Sequence, residues 1–166
     1  RGLGDVYKRQ SSSLSMSQSL SKIYIHLVFH VKSTSPRISE EDTQHLHAYI
    51  GTAINKLGCS TIIVGGTGNH VHALFVLSRE VTISQMVKEI KRSSSMYLKK
   101  LHSSYNHFAW QNGYAVFSIG QSGVDNATKY ISNQAAHHAK VNFEDEYRLL
   151  LEKYNIEYNR DYVLQD

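Results

Sequence analysis

Residues Gly65 to Leu77 read GGTGNHVHALFVL, a glycine-rich turn that runs directly into an alternating apolar stretch. That alternation decides the fold. In an extended strand the side chains at i and i+2 share a face and lie about 6.8 Å apart along it. His70, His72, Leu74 and Val76 therefore line one face, and Val71, Ala73, Phe75 and Leu77 the other. The second set is uniformly apolar and has to pack on helices. The two histidines point to the opposite side of the sheet, near the start of the strand. Two neutral imidazoles placed this way can converge on one metal ion but cannot complete its coordination. The pair also fits ordinary polar residues on the half-exposed face of a strand, the commoner case for an isolated H-x-H.

Working outward, KIYIHLVFHVK from Lys22 alternates in the same way and predicts a first strand. Ser39 with Asp42 predicts a capped helix N-terminus, and the stripe Leu46, Tyr49, Ile50, Ala53, Ile54, Leu57 follows it to a stop at Gly58. CSTIIVGG predicts a short strand, joined to HVHALFVL through GGTGN as a hairpin with a longer loop. Thr82 and Gln85 form a capping box for a second helix, with Ile83, Met86, Val87, Ile90, Tyr97, Leu98 and Leu101 as its buried face. A fourth strand is expected over Tyr114 to Ile119, a third helix over Val124 to His138, and a fourth from Asn142. The order β-α-β-β-α-β plus two helices predicts a ferredoxin-like α+β fold, an antiparallel four-stranded sheet with two helices on one face. That fold hosts many unrelated activities, so function has to come from a site.

At 166 residues the chain has room for one domain. No run approaches the roughly 18 apolar residues of a membrane span, and no apolar h-region follows the N-terminus. The single cysteine, Cys59, excludes a disulfide framework and a cysteine-rich zinc site, and suits a reducing cytoplasm. The net charge of +4 points only mildly to a polyanionic partner. The first 15 residues, RGLGDVYKRQSSSLS, hold three basic residues against one acidic, so without them the net falls to +2. Residues 1–21 are expected to be a disordered or non-native leader, and 22–166 a single domain.

Beyond the fourth strand lies VDNATKYISNQAAHHAK, in which Tyr130 and Gln134 are four apart and share a helix face. Alone, Tyr130 fits a boundary aromatic, Gln134 a solvated polar residue, and His137 and His138 a dipole-favoured C-terminus. Together, GGTGNHVHALF, WQNGYAVFSIG and YISNQAAHH, in this order between about Lys22 and Leu164, resemble the single-tyrosine HUH transposases of the insertion-sequence 200/605 type. The resemblance implies that His70 and His72 are metal ligands, Gln134 the third, and Tyr130 the nucleophile that attacks a single-stranded DNA phosphodiester. The product is then a 5′-phosphotyrosine with a free 3′-hydroxyl, which can be rejoined without a nucleotide cofactor. Two imidazoles and an amide oxygen suit Mg²⁺ or Mn²⁺ when phosphate oxygens and water fill the remaining positions.

The same resemblance implies DNA with hairpin ends as substrate, no membrane, and a nucleoid-associated setting in a bacterial or archaeal cytoplasm. It also implies a homodimer whose tyrosine helix serves the partner's histidine pair, with Gly120 and Gly123 as hinges. Asn69 departs from the pattern, since many relatives carry an acidic residue there. That departure touches the tuning of the first histidine and not the ligand set. Lys88, Lys91, Arg92 and Lys99 on the second helix are candidate DNA contacts, with the serines of KEIKRSSS allowing close backbone approach. Eleven tyrosines offer stacking surfaces, while Trp110 suits a core or dimer contact.

One rival is a non-catalytic RNA-recognition-like module, which would carry an aromatic run on the exposed face of its central strands. HVHALFVL carries histidines there instead. Other HUH nucleases, the replication initiators and relaxases, are usually larger chains. A transposase-like nuclease retained for host use would share every motif above.

Overall fold

β1 (Tyr24–His30), β2 (Ser60–Thr67), β3 (His70–Val76) and β4 (Ala115–Ile119) form one sheet in the order β2-β3-β1-β4, each neighbouring pair antiparallel. The computed structural model describes residues 17–165; residues 1–16 of the expected leader lie outside them, and 17–23 are exposed and without regular structure. The helices are α1 (Glu40–Lys56), α2 (Ile83–Leu101), α3 (Val124–Ser132), α4 (Gln134–His138) and α5 (Phe143–Lys153). The element order is the ferredoxin-like one, extended at its C-terminal end.

Strand alternation sorts the core into two. Ile25, Leu27, Phe29, Val71, Ala73 and Phe75 face α1 and α2, where Leu46, Ile50, Ile54, Met86, Ile90 and Leu98 close over them. The Thr82–Gln85 capping box forms in both directions, at 3.1 and 3.0 Å. Trp110 belongs to this core: its Nε1 donates to Ser94 Oγ at 3.0 Å, and its ring meets Phe29 and Phe108 edge-on. The serines of α2 are thus partly committed. Ser94 is fully buried and also donates to the Ile90 carbonyl, as Ser93 does to that of Glu89.

The other face departs from expectation. Val28, Ala115 and Phe117 pack against Phe143, Tyr147 and Leu151 of α5, so the histidine face is covered, and His70 and His72 are both 0% exposed. A strand pattern shows which residues share a face but not what later chain will lie on it. This covered sheet also lacks the open base-stacking surface an RNA-recognition-like module needs.

Three local corrections follow. The β2–β3 connection is a two-residue turn at Gly68–Asn69, not a longer loop, because Gly65 and Gly66 stay in the ladder opposite His72 and Val71. Ser39 occupies the N-cap of α1 without a side-chain cap, since its hydroxyl donates to Asp42 at 2.8 Å. The helix expected over 124–138 breaks at Asn133 (φ −100°, ψ 20°) into α3 and α4. At that break the Gln134 side-chain amide donates to the Tyr130 carbonyl at 3.3 Å, a bond that competes with helix continuation.

Candidate active site

β3 supplies two imidazoles from one face, and the antiparallel register sets His26 and His30 of β1 beside them. Val28 lies opposite His72 and Leu74 opposite His26, so His26 and His72 are diagonal neighbours on the same face. His26 Nε2 stands 2.8 Å from His72 Nδ1. The α3–α4 break brings Gln134 down onto His70, its Oε1 2.8 Å from His70 Nε2, and leaves it 1% exposed. Tyr130 reaches the same place from the last turns of α3, its ring edge-on to His72 with centroids 5.6 Å apart. The four residues singled out in the sequence therefore meet at one point within a single chain.

A fifth residue stands at the centre of them. Glu146 of α5 is 2% exposed. Its Oε1 lies 3.0 Å from His72 Nε2 and 3.6 Å from His70 Nε2. Its Oε2 accepts from the Tyr130 hydroxyl and, at 3.2 Å, from the Gln134 amide. His137 and His138 approach the two carboxylate oxygens at 3.1 Å each. The sequence reading missed Glu146 because EDE opens a capped helix, where acidic residues ordinarily serve the dipole. A usable signal was present all the same: Phe143, Glu146, Tyr147, Leu150 and Leu151 follow the i, i+3, i+4, i+7, i+8 pattern of one apolar stripe, and Glu146 is its only charge.

Burial sets the electrostatics. It pushes His70 down from 6.5 to about 3, with His72 adding to the shift, and does the same to His26. His72 is likewise pushed down by burial. Burial opposes ionisation of Glu146, but the hydrogen bond and charge of His72 and the bond from Tyr130 outweigh it and hold the carboxyl well below the usual range. The Tyr130 hydroxyl is pushed up, first by burial and then by its bond to that carboxylate.

These groups fit a cation. A neutral imidazole carries one N–H. His70 nevertheless has an oxygen at each end, Asn69 Oδ1 at 2.8 Å from Nδ1 and Gln134 Oε1 at 2.8 Å from Nε2. With the proton donated to Asn69, Nε2 turns a lone pair toward the Gln134 and Glu146 oxygens, an arrangement a metal ion satisfies. Asn69 thereby does for His70 what an outer-shell carboxylate does for other metal-bound histidines. His70, His72 and Glu146 form one donor group whose ligand atoms lie within 4.8 Å of one another.

Two hollows flank the cluster. One of about 800 Å³ is lined by Arg37, His47, Gly66, Asn69 and Gln134 among others. The second, about 580 Å³, is lined by His26, Ser122, Asn126, Tyr130 and Lys153 among others. The basic residues singled out in the sequence lie elsewhere, on α2, across the sheet from the histidines. Lys88 and Lys99 are exposed there, Lys91 Nζ donates to the Gln111 and Gly113 carbonyls at 2.8 and 2.6 Å, and Arg92 pairs with Glu89 at 2.5 Å.

A family model described as "Transposase IS200 like" matches residues 19–134, from just before β1 through Gln134. The chain belongs to that family. Two solved structures share its fold. A Deinococcus radiodurans R1 chain assigned as a transposase is 18% identical with a TM-score of 0.55, covering 72% of this chain and 98% of the other. A REP-associated tyrosine transposase, solved bound to a REP hairpin, is 14% identical with a TM-score of 0.54, covering 76% of each chain. No curated protein matches the chain. Family membership makes this a transposase, a protein whose work is on DNA. Among the described residues no helix is long and apolar enough to cross a membrane.

Proposed function

We propose that this transposase cleaves and rejoins single-stranded DNA at element ends through a 5′-phosphotyrosine on Tyr130, with a divalent ion, Mg²⁺ or Mn²⁺, held by His70, His72 and Gln134. The observation that carries this reading is the convergence of those four side chains on one buried point of one chain, between two open hollows. When bound, the ion polarises the scissile phosphate and orients it for in-line attack.

The rest is the protein's part. Asn69 and His26 fix the two imidazoles from behind, at 2.8 Å each. Tyr130 presents its hydroxyl with the Glu146 carboxylate as nearest acceptor for the proton. Attack forms a bond between the tyrosine oxygen and phosphorus and breaks the bond to the 3′ oxygen; the proton lost by Tyr130 passes to Glu146, and the 3′ oxygen takes one from water and leaves as a hydroxyl. The reverse step, by a second 3′-hydroxyl, rejoins the strand and frees Tyr130. The REP transposase of related fold was solved on a hairpin, which supports hairpin-ended DNA as the substrate here.

Cleavage is complete within one chain on this reading. A homodimer that exchanges α3 between its sites would then serve strand joining. The proposed hinges carry no strain of their own, since Gly120 (φ −74°) and Gly123 (φ −94°) sit where any residue can.

The test is a covalent-adduct assay on single strands from both flanks of the coding locus, with Mn²⁺ or Mg²⁺. A denaturant-resistant band is expected that needs metal and single strands and disappears in Tyr130→Phe and His70→Ala. A band that persists in Tyr130→Phe would assign the nucleophile elsewhere. Tight metal-independent binding without any band would make the chain a binding module.

A further inference from the structure

The family match ends at Gln134, yet the most buried carboxylate at the site comes from α5, beyond it. We propose that Glu146 is a fourth protein ligand of the divalent ion, and that its other oxygen holds the Tyr130 hydroxyl beside that ion. The proposal rests on the metal reading above and adds a residue to it.

The geometry comes first. Donors at right angles, about 2.1 Å from an ion, lie about 3.0 Å apart. The edges observed are 2.8 Å from His70 Nε2 to Gln134 Oε1, 3.0 Å from His72 Nε2 to Glu146 Oε1, and 3.6 Å from His70 Nε2 to Glu146 Oε1. These are spacings that ligands around one ion take, and the two shorter edges are also hydrogen-bond distances. An ion among His70, His72 and Gln134 would therefore meet Glu146 Oε1 as well. Glu146 Oε2 points the other way, toward Tyr130, so the carboxylate would bridge metal and nucleophile.

The donor chemistry agrees. Two imidazoles and an amide carry no charge to set against a divalent ion, and one carboxylate halves it. Among the described residues of the cluster, Glu146 is the buried carboxylate. The acidic neighbours on α5, Glu144 and Asp145, are exposed. The consequence reaches beyond the site, because Glu146 sits one turn into α5, whose Phe143, Tyr147 and Leu151 roof the sheet. Loading the metal would then fasten the C-terminal helix to the strands.

Mn²⁺ titration calorimetry on the full chain tests this without reading activity. Glu146→Gln, which keeps the shape but turns one acceptor oxygen into an NH2 donor, is expected to weaken Mn²⁺ at least about tenfold, the lower bound set by losses of outer-shell partners. His70→Ala is expected to abolish binding. A Glu146→Gln affinity equal to wild type overturns the proposal and leaves the three-ligand reading standing. Wild-type protein that binds no Mn²⁺ overturns both. Hydrogen exchange on the wild-type chain decides independently of how the variant folds. Mn²⁺ is expected to slow the amides of residues 143–153, and unchanged exchange there overturns the proposal.

Discussion

At the scale of the residue, Gly65 shows how little room the site has. A Cβ built there would lie 2.6 Å from the Ile131 carbonyl oxygen and 2.9 Å from Ile131 Cγ2. α3 therefore rests on the bare backbone of β2, one residue along from Tyr130. Gly65→Ala has to push α3 outward and should destabilise the fold by about 1–3 kcal/mol, as overpacking does. Thermal or urea melts of the two proteins measure it, and an unchanged melt would mean that α3 yields freely. The same closeness explains what a sequence can and cannot reveal. His70 and His72 were legible because strand alternation alone puts them on one face. Tyr130 and Gln134 were legible as chemistry only through the family pattern, because a tyrosine four residues from a glutamine occurs on any helix. Glu146 was hidden by resembling its neighbours: Glu144 and Asp145 share its charge and its helix turn, and only its place in the Phe143, Tyr147 and Leu151 stripe sets the buried one apart from the exposed two.

At the scale of the element, the start of α1 replaces an ordinary cap with a three-residue network. Tyr105 is buried, donates to Asp42 Oδ2 at 2.6 Å and accepts from the Ser39 amide at 3.0 Å. Its bond is the chief cause holding the Asp42 carboxyl below 3.8. A carboxylate lowered in the folded state contributes stability above its unfolded value, and that contribution is lost as pH falls through the folded one. Tyr105→Phe should cost about 1.5–3 kcal/mol at pH 7, the range for hydrogen bonds to charged groups. The deficit should shrink once the pH drops below 3.8. Urea melts at neutral and acid pH compare the two, and a deficit that does not change with pH would remove the carboxylate from the account. Periodicity located α1, α2 and the strands because their apolar stripes are regular. It missed the α3–α4 break because Ile131 and Ala135 continue the stripe across Asn133. What ends α3 is a side-chain bond from Gln134, and no hydrophobic pattern registers a glutamine that turns inward.

At the scale of the whole molecule, the C-terminal helices convert an open sheet into a closed site. β1, β3 and β4 offer Val28, Ala115 and Phe117 with His26, His30, His70 and His72 among them, and α5 covers both the apolar residues and the imidazoles. The ferredoxin-like half was legible from alternation, whereas the roof was not, because its contacts join distant parts of the sequence: Glu146 meets His72 across 74 residues. That roof bears on which chain does the cutting. Tyr130 is tied to Glu146, Glu146 to His72, and Gln134 to His70, all within one chain. A tyrosine supplied by a second copy would have to displace Tyr130 from Glu146, and Gln134 from His70 if it follows α3. Mixing Tyr130→Phe with His70→Ala protein should therefore yield no more covalent adduct than either variant alone. If tyrosines instead crossed between subunits of a two-fold dimer, half of the dimers would be mixed and one site in each would be whole. Adduct would then return to about a quarter of the wild-type amount. Recovery at that level would place cleavage between chains and leave the cis contacts as a resting arrangement, while its absence would confine subunit exchange to strand joining.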